Sequence, residues 1–392
     1  MRKRDTGLST RSVHGGEEEP SFARAIHGPV FHTVSFGYPD VDEWLDVAQG
    51  RASGHVYSRN TNPTVDVFEE KIRLLEGGEA ATSAATGMAA ISSCLYALLK
   101  PGRRLVASRD VYGGTVRLLT EFLPHIGVDV ALVPARTDLL VQTLDAPADV
   151  VYLETPTNPM LHVLDLERVV RAAHHQGALV VVDNTVATPI HQAPLSLGVD
   201  LVVHSATKYL GGHGDVLGGV VVGKRNLVER IFAYREIHGA ALHADAADRL
   251  IRGMKTLELR VTRQSDNAQH IAEFLNEHRK VRKVYYPGLP SHPDHAIAAR
   301  QMRGFGGLLS LSLGDDFAAV RRFCSGLRLA HNAASLGAVE TMIGLPCTAS
   351  HVECTPEQRA ELGIPEGLVR LSVGIEDVED LLDDLDNALQ GV

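Results

Sequence analysis

A chain of 392 residues is too long for one ordinary domain and predicts two. Hydrophobic residues make up 44% and charged residues 22%, a globular balance that excludes a disordered or fibrous protein and supplies a core without disulfide staples. The formal net charge of −10 argues against a nucleic-acid binder built on phosphate contacts.

The N-terminal MRKRDTGLSTRSVHGG starts basic but leads into no apolar stretch, so no signal peptide is expected. No run of about 18 apolar residues follows, and a cytoplasmic location is expected. The first sixty residues carry Pro20, Pro29, Pro39 and many polar or glycine positions with little periodicity, and predict an arm of loops. Asn62-Pro63 then joins a capping side chain to proline at the first helical position; VDVFEEKIRLLE continues that helix and Gly77-Gly78 stop it.

Valine-rich runs follow: LVAS (105–108), VDVALV (128–133), DVVYLE (149–154), ALVVVD (178–183) and LVVHS (201–205). Before and between them lie helical patterns, GMAAISSCLYALLK (87–100), VRLLTEFLPHI (116–126) and DLERVVRAAHHQG (165–177). Continuous apolar strands alternating with helices predict the α/β class, with a mostly parallel sheet covered on both faces. No proline- or serine-rich linker occurs, so the domains should share an extensive interface.

From about Ala244 the pattern changes. ADRLIRGMKTLELRVTRQSDNAQHIAEFLNEH predicts one long amphipathic helix, weakened at Gly253. Strands LLSLSL (308–313) and VRLSV (369–373) then alternate with helices in a smaller α+β unit. The expected division is an arm over 1–60, a large domain over 61–245 and a C-terminal α+β domain over 246–392. The acidic ending EDVEDLLDDLDNAL predicts a solvated helix face. The four cysteines, Cys94, Cys324, Cys347 and Cys354, do not form a secreted disulfide framework. Cys347, His351 and Cys354 lie close together, but no second Cys/His pair accompanies them and no metal site is expected.

Five strand ends carry polar chemistry. In HSATKYLGGHGD (204–215) a buried strand delivers Ser205, Thr207 and Lys208 into a loop with Gly211, Gly212 and Gly214. A lysine at an apolar strand end loses solvation, which lowers its pKa and favours the nucleophilic amine of a Schiff-base lysine. The hydroxyls and glycine N–H groups suit a phosphate; the plain alternative is an exposed loop lysine. In VVDNTVATP (181–189), Asp183 ends a strand where open α/β sheets place ligands. A carboxylate there needs a positive partner, for which a protonated pyridine ring is one candidate; the alternative is a capping or turn aspartate. ATGMAAI (85–91) opens a helix at Gly87-Met88, with free N–H groups at its positive end. ETPTNP (154–159) and Tyr112-Gly113-Gly114 supply the remaining two. Ser205 and Lys208 also fit S-x-x-K, and Ser265-Asp266-Asn267 fits S-D-N, as in penicillin-recognising serine enzymes. No K-T-G follows and S-D-N falls inside the expected long helix, which weighs against that reading. No G-x-G-x-x-G or P-loop pattern occurs.

Together these motifs resemble the Cys/Met metabolism family of pyridoxal phosphate enzymes, which includes cystathionine γ-synthase, cystathionine γ-lyase and methionine γ-lyase. The similarity runs from TRSVHGG (10–16) through YSRNTNPT (57–64) to SLG (335–337) and GLVRLSVGIED (367–377). It implies the fold type I of pyridoxal phosphate-dependent transferases, with pyridoxal 5'-phosphate as cofactor. Lys208 would hold the cofactor covalently and then shuttle protons, Asp183 would keep the ring nitrogen protonated, and Tyr112 would stack on the ring and assist the leaving group. Gly87, Met88, Ser205 and Thr207 would hold the phosphate, and Thr185 would join the cofactor site. Tyr57 and Arg59 would reach the phosphate of a neighbouring subunit, which makes a homodimer the minimum active unit and a homotetramer the expected assembly. Arg370, on a strand where Val369 and Leu371 face the other way, would grip the substrate α-carboxylate with Asn158 and Ser335.

The implied activity is carbon–sulfur lysis by α,γ-elimination on a small-molecule sulfur amino acid, with no nucleic-acid or membrane partner. Replacement by an incoming thiol is the alternative; a non-catalytic cofactor-binding scaffold is disfavoured because every expected catalytic position is filled. Two positions depart from family patterns. Cystathionine-processing members generally carry glutamate just before SLG, where this chain has Ala334, and methionine γ-lyases usually carry cysteine where it has Gly114. An unpaired ammonium costs more than a missing thiol, so the methionine γ-lyase type is favoured, with cystathionine γ-lyase close behind.

Overall fold

Strands covered on both faces can be apolar at every position, and the valine-rich runs other than the edge run at 128–133 fold in that way in the computed structural model, which describes residues 6–17, 25–314, 317–349, 351–352, 355–361 and 363–392. The larger sheet has seven strands: β1 Ala80–Ala84, β2 Arg104–Ser108, β3 Asp129–Val133, β4 Val150–Glu154, β5 Leu179–Asp183, β6 Leu201–Ser205 and β7 Gly219–Gly223. Their order is β1-β7-β6-β5-β4-β2-β3. Strands β2 to β6 pair in parallel, while β7 runs antiparallel to both β1 and β6. Every residue of β4 is buried, and each fully buried valine or leucine contributes about 1.5–3 kcal/mol. Register places Glu154 opposite Asp183, and Asp183 opposite Val203, so the carboxyl ends of β4, β5 and β6 line up.

The helix Pro63–Glu76 begins where the sequence predicts. Asn62 accepts a hydrogen bond from Thr64 N, and Gly77 closes the helix at φ 77°. The helix Gly87–Leu98 is capped by Thr86, which accepts from Ala89 N at 3.0 Å. The expected helix over 116–126 is instead three short pieces, Gly113–Arg117, a π-helical turn Leu118–Phe122 and Leu123–His125. Pro124 has no N–H to continue the ladder there.

Two further expectations need correction. The arm is not wholly loops: it contains the helices Leu8–His14 and Val41–Ala48, the latter capped by Asp40, which accepts from Glu43 N at 2.8 Å. The long helix is two, Ala244–Met254 and Leu257–Glu277. A Cβ on Gly253 would stand 2.2 Å from the Gly211 carbonyl, so the chain packs directly on the glycine loop. Arg260 fills the break, donating to the carbonyls of Tyr209 at 3.0 Å and Gly253 at 2.8 Å. Ser265-Asp266-Asn267 lies inside the second helix.

The smaller sheet contains β8 Lys283–Tyr285, β9 Leu308–Ser312, β10 His331–Asn332, β11 Met342–Gly344 and β12 Leu368–Ser372, in the order β10-β11-β12-β9-β8. Val369 and Leu371 of β12 enter a core with Ile271, Phe323, Leu381 and Leu385. Arg370 is therefore left for the opposite face, on an interior strand paired with Ser310 and Gly344. The acidic C-terminal helix Val378–Gln390 buries Leu381, Leu385, Ala388 and Leu389. Its Asp384 is also buried, accepting from the N–H groups of Arg328 and Leu329. Cys354, weighed above with Cys347 and His351 as a candidate metal ligand, lies outside the described residues. Among the described residues no helix is long and apolar enough to cross a membrane.

Candidate active site

Past the end of β6 the chain turns back on itself. Lys208 N donates to Ser205 O at 3.1 Å and Gly212 N to Lys208 O at 2.8 Å. Gly212 has φ 72°, and a Cβ there would lie 2.0 Å from the Arg260 guanidinium, so only glycine fits. Thr207 is tied to Gly218: its hydroxyl accepts from Gly218 N at 3.0 Å and donates to Gly218 O at 3.3 Å. Lys208 Nζ donates to Ser335 Oγ at 3.0 Å. Burial, reinforced by the Arg370 guanidinium and opposed by Asp183, lowers the lysine pKa to about 8.

Asp183 is buried at the end of β5. Its hydrogen-bond partners are neutral, the Tyr152 hydroxyl at 3.4 Å and Thr185 N at 3.0 Å. Burial pushes its pKa up, against the hydrogen bonds from Thr185 and the nearby His204. Among the described residues no ion pair includes Asp183, so a cation entering the site would find its counter-charge waiting.

At Gly87 an added Cβ would stand 2.7 Å from Ser205 Cβ, so the start of the helix Gly87–Leu98 sits directly on the end of β6. This brings the N–H groups of Gly87 and Met88 beside Ser205, whose own N–H donates to Thr185 Oγ1 at 2.8 Å. The Thr207 hydroxyl shapes this loop through Gly218. Helix start, hydroxyls and buried carboxylate fit pyridoxal phosphate: an anion at Gly87, Met88 and Ser205, a pyridinium at Asp183 and an aldehyde at Lys208.

Tyr112 is 38% exposed, and its N–H donates to Glu154 Oε2 at 2.9 Å. Its ring lies against Gly114, where a Cβ would come within 2.6 Å of the ring. Arg370 is buried, donating from Nη1 to Asn158 Oδ1 at 3.1 Å and from Nη2 to Ser335 O at 2.6 Å. Burial lowers its pKa to about 10, which leaves it cationic at neutral pH. Ser335 adopts φ 98°, a left-handed conformation that turns its hydroxyl to Lys208 and its carbonyl to Arg370.

Lys208, Ser335, Arg370 and Asn158 are thus joined directly, with Asp183, Thr185, Ser205 and Gly87 linked behind them. Tyr57 and Arg59 stand apart. The Arg59 guanidinium lies 5.8 Å from the Tyr57 ring centroid, and Arg235 holds the loop through the carbonyls of Arg59 and Asn60. Among the described residues no hydrogen bond or ion pair joins either side chain to Ser205, Thr207 or Lys208. Sequence reasoning placed Glu154 in a polar strand end without giving it a role, and missed Tyr152 and Arg235. Tyr152 and Glu154 share one face of β4 at the strand period of two, a signal present in DVVYLE.

A family profile described as Cys/Met metabolism PLP-dependent enzyme matches residues 9–390. The chain is 43% identical to an L-methionine gamma-lyase of Pseudomonas putida over 387 residues, covering 98% of this chain and 97% of that protein. It is 40% identical to a chloroplastic cystathionine gamma-synthase of Arabidopsis thaliana, covering 97% of this chain and 68% of the relative. The solved structure of cystathionine gamma synthase from Xanthomonas oryzae pv. oryzae in complex with cystathionine superposes with a TM-score of 0.93 at 39% identity, covering 99% and 98% of the two chains. The chain belongs to the Cys/Met metabolism family of pyridoxal phosphate-dependent enzymes.

Proposed function

We propose that this protein is a carbon–sulfur lyase of the methionine γ-lyase type, converting methionine or a similar uncharged thioether amino acid and water into a thiol, 2-oxobutanoate and ammonia. The carrying observation is that Lys208, Ser335, Arg370 and Asn158 converge in one hydrogen-bonded group near Asp183. The 43% identity to an L-methionine gamma-lyase supports the choice of reaction.

Bound pyridoxal phosphate would supply an electron sink for negative charge at the substrate α- and β-carbons. Arg370 and Asn158 would take the α-carboxylate and fix Cα beside Lys208. Lys208, its pKa near 8, would move protons from Cα and then Cβ as a free amine. Tyr112 would stack on the ring and give a proton to the departing sulfur. Ala334 offers no carboxylate for a second ammonium, which favours an uncharged thioether over cystathionine. The 40% identity to a cystathionine gamma-synthase keeps γ-replacement by a thiol as the second reading.

In this reading residues 61–245 hold the cofactor, 246–392 supply Arg370 and Ser335, and the arm over 1–60 serves a neighbouring subunit. Val41, Trp44 and Leu45 are exposed on an arm helix with no buried residue, which suits packing against a second copy in a dimer or tetramer. Cys94, Cys324 and Cys347 are free thiols, in keeping with a cytoplasmic protein. The test is to incubate purified protein with methionine, cystathionine and O-acylhomoserines while measuring 2-oxobutanoate and thiol. Methionine should give both products; no action on methionine, with an O-acylhomoserine consumed to give a new thioether only when a thiol such as cysteine is added, would replace elimination by γ-replacement.

A further inference from the structure

We propose that Glu154 is a positioning residue that couples the leaving-group end of the site to its carboxylate-binding end, one buried carboxylate holding Tyr112 with one oxygen and Asn158 with the other. The inference rests on the roles proposed above for those two residues. Glu154 is 5% exposed. Its Oε2 accepts from Tyr112 N at 2.9 Å and its Oε1 from Asn158 N at 3.0 Å, while its own N–H is held by Ser108 Oγ at 3.3 Å. Asn158 in turn receives Arg370 through its side chain. A shift of this carboxylate therefore moves two functional residues 46 positions apart in the chain together.

Two N–H donors on two oxygens is the pattern an ionised carboxylate accepts; a proton on either oxygen weakens one bond. Burial and the neighbouring charges of Asp183 and Asp110 push its pKa well up, against the two N–H bonds from Tyr112 and Asn158, and Arg370 is a cation that acts in favour of the ionised form. A buried carboxylate among like charges is a poor way to stabilise a fold. Its placement makes sense as a brace for the two loops that meet the substrate, and a pyridinium at Asp183 would offset the repulsion and tighten that brace.

Glu154→Gln tests this, because the amide keeps the shape but can accept only one of the two N–H groups. The variant should fold and retain cofactor, with an altered visible circular dichroism of the bound cofactor as Tyr112 moves. Its kcat should fall about tenfold to a hundredfold and its KM for methionine should rise. In a Tyr112→Phe background the kcat effect should shrink to less than about threefold while the KM effect through Asn158 persists. Glu154→Asp, which keeps two acceptors on a shorter stem, should recover part of both. Unchanged kcat, KM and dichroism, or strict additivity with Tyr112→Phe, would overturn the proposal. So would loss of fold or cofactor in Glu154→Gln, since Glu154 would then be scaffold. If the unmodified protein released no 2-oxobutanoate, the functional reading would fail, and the dichroism arm would still decide whether Glu154 positions Tyr112.

Discussion

Lys208 Nζ lies 3.0 Å from Ser335 Oγ although 127 positions separate them, and the carbonyl of the same serine holds Arg370 at 2.6 Å. One residue of unusual backbone conformation thus ties the candidate nucleophile, delivered by the larger sheet, to Arg370 of the smaller sheet, the arginine proposed to bind the substrate carboxylate. Two cationic side chains converge on it, and their mutual repulsion adds to burial in lowering the lysine pKa.

That shift sets a pH dependence. With its pKa lowered to about 8, the neutral amine of Lys208 grows as pH rises from 6 to 8 and saturates above. The rate at which cofactor-free protein forms its covalent, violet-absorbing adduct with added pyridoxal phosphate should climb about tenfold per pH unit below that value and level off above it. Arg370→Ala should move the inflection upward, because a neighbouring cation is removed. Lys208→Ala should form no such band. A wild-type rate still climbing at pH 10 would mark an ordinary exposed lysine.

The same contrast between strand ends and interiors explains what was legible beforehand. Lys208 and Asp183 stand out because each is a charge placed at the end of an apolar run, which physics tolerates only with a partner. Strands β1 and β7 were missed because AATSA and GVVVG read as small-residue and glycine segments. The glycines of β7 are needed for close approach: a Cβ on Gly219 would lie 2.2 Å from Thr86 O, and one on Gly223 2.3 Å from Asp200 O. The break before Leu257 depends on Arg260 reaching Tyr209, a tertiary contact with no periodic signature. Glu154 looks like any polar residue after a strand until its two N–H partners are seen.

Gly87 provides a second prediction. Alanine there would put its Cβ 2.7 Å from Ser205 Cβ and 2.8 Å from Ser205 Oγ, forcing the helix start away from β6. Cofactor affinity should weaken about tenfold, near 1.4 kcal/mol, as measured by equilibrium dialysis of the cofactor-free protein. Undiminished affinity would show that the phosphate is held elsewhere.

The separation of Tyr57 and Arg59 from Lys208 within one chain predicts complementation. Arg59→Ala and Lys208→Ala proteins should each be inactive, yet a hybrid dimer contains one site with both native residues. Equal mixing with free subunit exchange should restore about a quarter of wild-type activity. No recovery, with exchange shown by differently tagged subunits, would mean that each chain builds its site alone.

Ala334 provides the test of substrate choice. The residue is exposed, directly precedes Ser335, and lines a cavity of about 490 Å³ with Arg321, Asn332 and Thr348. A glutamate can therefore extend there without displacing the contacts of Ser335 to Lys208 and Arg370. On the proposed reading of the site, its charge would be available to the distal ammonium of cystathionine and would face the apolar end of methionine unfavourably. The other departure, Gly114, is bounded by the Tyr112 ring, so a cysteine at that position would require the ring to shift. Ala334→Glu leaves that ring alone and isolates the charge effect. The ratio of kcat/KM for cystathionine to that for methionine should rise about tenfold, 1.4 kcal/mol of differential transition-state binding. Efficient cystathionine cleavage by the unmodified protein with negligible action on methionine would reverse the assignment, because the ammonium would then be finding a partner that Ala334 does not provide.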